Sequence, residues 1–200
     1  MSNFWDERFD SDEFIYGDRP NTFFAEQLQQ IPSGRLLLPM EGEGRNAVFA
    51  AKLGWDVEAF DSSKVGIQKA KQLAGKKEVD FSYTHCRIEE FPFPKERYDV
   101  VAMVFAHLPP DIRPEVHQKI EQSIKPGGQL IVEFFHPDQL GRSSGGPKIL
   151  DMLYSPELIQ KDFPQIKFQH LNRVIEILKE GSHHQGEAIL TRGTGVKVRN

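Results

Sequence analysis

The chain reads as an α/β fold, a mostly parallel sheet covered by helices, and three observations carry that reading. Short apolar runs alternate with segments of helical periodicity through the middle of the chain, from Leu36 to Phe135. The run Tyr98 to Phe105 is almost continuously apolar after Asp99, as a strand buried on both faces must be. Two long segments near the end, Lys167 to Lys179 and Glu187 to Val198, meet near Glu180-Gly181-Ser182 and read as an antiparallel pair that closes the sheet.

Phe4, Trp5, Phe9, Phe14, Tyr16, Phe23 and Phe24 crowd the first thirty residues. Such aromatic density predicts helices packed on the sheet, with direct ligand contact as the competing reading. Leu36 to Leu38 is the first strand, followed by a helix holding Ala47 to Leu53. Asp56 to Phe60 is the second strand, and Ser62 or Ser63 caps the helix Lys64 to Leu73 that follows. Val79 to Tyr83 suggests a third strand, and Tyr98 to Phe105 a central fourth. Pro114 to Ile124 is helical, Lys125-Pro126-Gly127-Gly128 forms a turn, and Gln129 to Phe135 is a fifth strand. A short helix follows Pro156. The loop Gly141-Arg142-Ser143-Ser144-Gly145-Gly146-Pro147, rich in small residues, is a candidate mobile lid.

Composition narrows the function classes. Two hundred residues, 38% hydrophobic and 27% charged, fit one domain with a two- or three-layer core. A formal charge of −4 leaves no basic footprint for nucleic acid or an anionic membrane. The single cysteine, Cys86, excludes an internal disulfide framework and suggests a reducing compartment, so the cytoplasm is expected. An acidic, polar start and the lack of a long apolar run predict neither an export signal nor a membrane span. No spacing of His, Cys and carboxylates matches a metal site. Oligomeric state is not readable from the pattern.

The stretch Glu41-Gly42-Glu43-Gly44-Arg45-Asn46 lies between the first strand and its helix. A glycine turn there sets backbone N–H groups and a helix N-terminus beside a ligand, an arrangement that ordinarily favours anions. Two carboxylates in the same turn would repel a pyrophosphate. The ligand expected instead presents hydroxyls, an amine or a positive centre, and S-adenosylmethionine presents all three. Asp61, just past the second strand and seventeen residues after Gly44, stands at the spacing from which an acid accepts hydrogen bonds from ribose hydroxyls. Its competing role is a helix cap before Ser62 and Ser63.

Glu-Gly-Glu-Gly-Arg-Asn, Gly54-Trp55-Asp56-Val57 through Asp61, Tyr98-Asp99-Val100 and Lys125-Pro126-Gly127-Gly128 together resemble class I S-adenosylmethionine-dependent methyltransferases. The nearest likeness is to the small bacterial group around the tellurite-resistance methyltransferase. It extends to Trp5-Asp6-Glu7-Arg8-Phe9, Tyr16-Gly17-Asp18-Arg19-Pro20-Asn21, Gly145-Gly146-Pro147-Lys148 and His184-Gln185-Gly186. The resemblance implies a three-layer, Rossmann-like fold with a mostly parallel seven-stranded sheet and an antiparallel terminal hairpin. It implies a single domain over residues 1–200, with 1–32 as a helical lid segment and 33–200 as the core.

By the same resemblance, Glu41, Gly42, Gly44, Arg45 and Asn46 lie against the methionine part of the cofactor. Asp61 and Ser62 lie at the ribose, Arg87 and Ile88 beside adenine, and Tyr16 and Phe105 near the cofactor; the product would be S-adenosylhomocysteine. Three positions depart from the family pattern: Leu38 replaces an acid, Met40 the first glycine of the turn, and Arg87 an acid or amide. Glu41 is the candidate to replace the missing acid as partner of the methionine amino group.

Methyl transfer from a sulfonium is an in-line displacement that chiefly requires positioning. A small-molecule acceptor is expected, with a thiol or chalcogen compound suggested by the family likeness. His107 and His136 are the candidate bases or acceptor guides. Tyr16, His107, His183 and His184 are candidate substrate contacts. Three alternatives stay open: a nicotinamide-dependent oxidoreductase, opposed by Glu41 and Glu43; a nucleic-acid methyltransferase, opposed by His107-Leu108-Pro109-Pro110-Asp111 after the fourth strand; and a cofactor-binding protein without catalysis.

Overall fold

The computed structural model describes residues 2–199. Its elements run α1 (Ser2–Phe9), α2 (Thr22–Leu28), β1 (Arg35–Pro39), α3 (Arg45–Lys52), β2 (Asp56–Asp61), α4 (Lys64–Lys76), β3 (Ser82–His85), β4 (Tyr98–Val104), α5 (Arg113–Ser123), β5 (Ile124–Phe135), α6 (Pro156–Asp162), β6 (Ile166–Glu180) and β7 (His184–Lys197). One seven-stranded sheet has the order β3-β2-β1-β4-β5-β7-β6. The first five strands are parallel, and β7 inserts antiparallel between β5 and β6.

Alternation along the central strands builds two apolar layers. Leu36, Leu38, Val100 and Ala102 face Phe23, Phe24 and Leu28 of α2 and Ala47 and Ala50 of α3. Leu37, Val101, Met103, Leu130 and Val132 face Val116 and Ile120 of α5 and Ile159 of α6. Successive residues of a buried strand thus serve opposite faces, which is why β4 carries no polar alternation. Capping fixes where helices begin: the Asn21 side chain accepts from the Phe24 N–H at 2.9 Å, the Ser63 Oγ from the Gly66 N–H at 3.0 Å, and the Ser155 Oγ from the Leu158 N–H at 3.3 Å. Each satisfies an orphan donor of a first turn.

Four expectations shift. The third strand starts at Ser82, because Val79 packs with Val48 and Leu73 and its N–H donates to Ala74 O, closing α4 instead of opening a strand. Lys125 to Gly128 is not a free turn. It is an insertion inside β5, where pairing with β4 jumps from Tyr98↔Ile124 to Val100↔Gln129 and Gly127 takes φ +81°. The Gly141–Pro147 loop is pinned to β7 and does not hang free: Gln139 donates to Ser144 Oγ, Ser144 Oγ donates to Glu187 O, and the Ile189 N–H donates to Gln139 Oε1. Finally, a lid of residues 1–32 is too long. Phe24 and Leu28 of α2 are fully buried, so α2 is part of the core layer and only the strap before Asn21 lies over the carboxyl ends of the strands.

Candidate active site

The winding of the sheet reverses between β1 and β4, and such a switch point opens a crevice outside the carboxyl ends of the two strands. The chain leaves both strands in a left-handed backbone, Met40 with φ 54° and Phe105 with φ 54°. A residue with a side chain holds that conformation only where its surroundings impose it, and such strain concentrates at functional sites.

The turn after β1 carries two glutamates with opposite fates. Glu41 Oε1 accepts from the N–H groups of Asn46 at 2.8 Å and Ala47 at 2.9 Å, and Oε2 accepts from Asn46 Nδ2 at 3.2 Å. The first turn of α3 is therefore occupied by the protein's own carboxylate, which leaves no cradle for a phosphate. Burial pushes the Glu41 carboxyl up to about 7, against the pull of those donors and of Arg45. Glu43 turns away from the crevice. It pairs with Lys69 at 2.6 Å and accepts from the N–H groups of Ile15 and Tyr16, so it fastens the N-terminal strap. The two carboxylates of the turn thus have different tasks, Glu41 at the first turn of α3 and Glu43 at the strap.

Two glycines of the turn are required by close approach. A Cβ on Gly44, which has φ +82°, would stand 2.5 Å from Ala70 Cβ, and one on Gly42, with φ +61°, would stand 3.1 Å from the Phe9 ring. Asp61, at the end of β2, accepts from the Gly42 N–H at 2.9 Å and from the Ser63 N–H at 2.8 Å. Tyr83 Oη donates to Gly42 O at 2.6 Å, so the Gly42 peptide is clamped from both sides. Asp61 thus organises the turn and the start of α4 together. Burial raises its carboxyl above the ordinary range.

The opposite rim is built from the strap and the terminal hairpin. Arg45 Nη1 donates to Tyr16 O at 2.9 Å and Nη2 to Glu180 Oε2 at 2.9 Å. Asn21 Nδ2 donates to Glu133 Oε1 and to Glu180 Oε1. His184 opens β7 with Nδ1 at 3.5 Å from Glu180 Oε2. Its ring lies among Tyr16 at 4.5 Å, Phe105 at 4.6 Å and Phe135 at 5.2 Å between centroids. Burial alone would raise Glu180, but the His184 hydrogen bond and Arg45 outweigh it and hold the carboxyl at about 2.

The remaining expected residues divide. Arg45 and Asn46 are buried and hold the turn, Asn46 also accepting from the Asn21 N–H at 2.9 Å. Ser62 is half-buried and the cap of α4 is Ser63. Ile88 is buried in the core with Phe60 and Phe91, whereas the exposed Arg87 pairs with Glu89 at 2.6 Å. His183 is exposed in the hairpin turn, with its ring 6.2 Å from that of Tyr16. His107 is corrected as a base: its Nδ1 contacts Met152 O at 2.6 Å and its Nε2 accepts from the Phe135 N–H at 3.1 Å. Both nitrogens are used, and burial lowers the ring to about 3. His136 is also otherwise engaged, its Nδ1 accepting from the Asp138 N–H at 3.1 Å. Sequence reasoning missed Glu180, Asn21, Glu133 and Phe135; Glu180 beside Gly181 registered only as a hairpin turn. Among the described residues, no cluster of three or more His, Cys, Asp or Glu is placed to hold a metal ion, and no helix is long and apolar enough to cross a membrane.

Residues 40–128 match the family model of a methyltransferase domain. Over 120 residues the chain is 29% identical to probable thiol methyltransferase 2 of Arabidopsis thaliana, covering 58% of this chain and 52% of that protein. The stretch that holds the β1 turn, Asp61 and β4 is therefore similar to a methyltransferase domain. The chain is also 26% identical over 144 residues to thiocyanate methyltransferase 1 of Brassica oleracea, covering 70% of this chain and 62% of the other. The chain thus spans between half and two thirds of the length of these curated relatives. The crystal structure of TehB from Haemophilus influenzae shares the fold, with a TM-score of 0.73 at 14% identity over 98% of this chain and 66% of that one. The fold shared with that structure, here a mostly parallel sheet ending in an antiparallel hairpin, surrounds the crevice just described.

Proposed function

We propose that this protein transfers a methyl group from S-adenosylmethionine to a small molecule, a thiol or a chalcogen compound, held between the β1 turn and the β6–β7 hairpin. The observation that carries the proposal is the pair of carboxylates, half-buried Glu41 and buried Asp61, on the donor side of the switch point. Burial raises both above their ordinary range, so each gains from a ligand that brings positive charge or hydroxyl donors. That pair of acceptors fits an amine and a ribose and disfavours a dinucleotide pyrophosphate.

In this reading Glu41 receives the methionine ammonium and Asp61 the ribose hydroxyls, with Gly42, Gly44, Arg45, Asn46 and Ser62 shaping the turn that holds them. Arg87 and Ile88 frame adenine through their backbone, since their side chains are engaged elsewhere. When bound, the cofactor supplies an electrophilic methyl group. The protein's part is to orient the acceptor against Tyr16, Phe105 and His184, to exclude water with the strap before Asn21, and to receive any proton the acceptor loses. His107 and His136 serve as positioning residues. The names of the two plant relatives support sulfur acceptors over amines. A cytoplasmic location agrees with the lone Cys86.

Titration with S-adenosylmethionine by calorimetry, followed by methyl-transfer assays on thiols, on selenium and tellurium oxyanions and on small amines, tests the reading. Micromolar binding and turnover of at least one thiol or chalcogen acceptor are expected. Binding without turnover of any acceptor would leave the non-catalytic alternative standing, and preference for a dinucleotide would overturn the reading outright.

A further inference from the structure

We propose that His184 is the group that takes the acceptor's proton, so that the acceptor enters as a neutral, protic nucleophile, most simply a thiol, and not as a preformed anion. The proposal rests on the methyl-transfer reading above.

Geometry separates this histidine from the others near the crevice. The two nitrogens of His107 are committed to backbone, and Nδ1 of His136 caps a turn. His117 is turned into the core, its Nδ1 on Asp162 and its Nε2 sealed from solvent without a partner. His184 has Nδ1 directed at Glu180, while Nε2 takes no hydrogen bond among the described residues and is not sealed as that of His117 is. A carboxylate on one ring nitrogen fixes the tautomer and leaves the lone pair of the other available, the arrangement a general base needs.

The surroundings hold the ring in place. Glu180 is itself fixed by Arg45 and Asn21. Tyr16, Phe105 and Phe135 enclose the imidazole on three sides. On the fourth, a Cβ on Gly145 would lie 2.7 Å from His184 Cδ2 and 3.2 Å from Nε2, so glycine at 145 is what admits the ring. The titratable and charged groups facing it are Glu180 and His183 on the hairpin, Tyr16 on the strap, Arg45 on α3 and, behind Phe135, His107. Burial lowers the imidazole, against the pull of Glu180. It is therefore neutral near pH 7 and able to accept a proton.

The step balances without a co-reactant. The acceptor's S–H proton passes to Nε2, and the sulfur pair so released forms the new S–CH3 bond. The departing bond leaves its electrons on the donor sulfur, which changes from sulfonium to thioether. The imidazolium, stabilised by Glu180, then returns the proton to water.

The test follows kcat/KM of the wild type and of His184→Gln with an alkyl thiol, 2-mercaptoethanol, as a function of pH. Near pH 7 the variant should be slower by about a hundredfold or more, and the ratio should fall toward one as pH rises past the thiol's own pKa. A ratio that is constant with pH marks a structural role and overturns the proposal, as does equal activity at pH 7. A readout that needs no variant is the NMR titration of the His184 ring in the wild type, where a ring still protonated at pH 7 overturns the assignment. A wild type that binds S-adenosylmethionine yet methylates no thiol fails differently, because it overturns the methyl-transfer reading itself.

Discussion

The turn after β1 and the hairpin between β6 and β7 bring acidic side chains to the two rims of the same crevice, and they handle the charge in opposite ways. Glu41 has N–H donors and no ion-pair partner among the described residues, and its carboxyl is raised to about 7. Glu180 has Arg45 at 2.9 Å and His184 at 3.5 Å, and its carboxyl is held at about 2. Both are substantially enclosed, so desolvation alone does not decide the sign of the shift; at Glu180 the His184 hydrogen bond and Arg45 together outweigh it. One carboxylate is left for an outside charge to neutralise, and the other is neutralised from within and serves as a fixed anchor.

Removing the inside cation should make the second rim behave like the first, and this is the largest effect expected. Arg45→Met leaves Glu180 buried without its guanidinium and also frees Tyr16 O. A loss of about 3 kcal/mol in unfolding free energy at pH 7 is expected from chemical denaturation. The pH dependence sharpens the test. The Glu180 carboxyl is depressed from 4.5 to about 2, so its stabilisation is present above pH 4.5 and lost as pH falls through about 2. The gap between wild type and variant should therefore close in acid. A gap that persists at pH 2 would mean that the packing of Arg45, and not its charge, holds the hairpin.

The two rims also differ in how legible they were from the sequence. The donor rim is local: a strand, a glycine turn and a helix within Leu36 to Leu53, with Asp61 one strand further on, so spacing alone brought Glu41 and Asp61 together. What spacing did not reveal was direction, since Glu41 and Glu43 are two residues apart yet point to the first turn of α3 and to Lys69 respectively. The acceptor rim is non-local. Asn21, Arg45, Glu133, Glu180 and His184 meet only because β7 inserts between β5 and β6 and the strap folds over them. A hairpin turn with a glutamate looks solvated in one dimension, and His107, at the end of an apolar strand, looks available. The fold inverts both appearances.

Exchanging the donor carboxylate for an amide is the next smaller perturbation. Glu41→Gln should weaken S-adenosylmethionine binding by about 1.5 to 3 kcal/mol, the worth of a charged hydrogen bond. Stability should move the other way. Because the Glu41 carboxyl is raised from 4.5 to about 7, its contribution favours folding at low pH and is lost as pH rises through about 7. The amide carries no such dependence, so the variant should gain on the wild type by about 1 to 3 kcal/mol between pH 5 and pH 8. Calorimetric binding and thermal unfolding at the two pH values check both halves. Weaker binding with no stability gain would show that Glu41 meets the ligand without being strained in its absence.

The smallest effect is a proton count, and it bears most directly on the difference between the rims. A carboxyl with a value of about 7 is half protonated at neutral pH, and an ammonium placed beside it favours the ionised form. Cofactor binding at pH 7 should then release up to about half a proton per site from Glu41. Titrations in buffers of different ionisation enthalpy measure that number as the slope of observed heat. The slope should disappear in Glu41→Gln and persist in a variant of the other rim such as His184→Gln, since Glu180 is already ionised at this pH. A release of the same size in both variants would place the missing charge elsewhere and remove Glu41 as the partner of the cofactor's amino group.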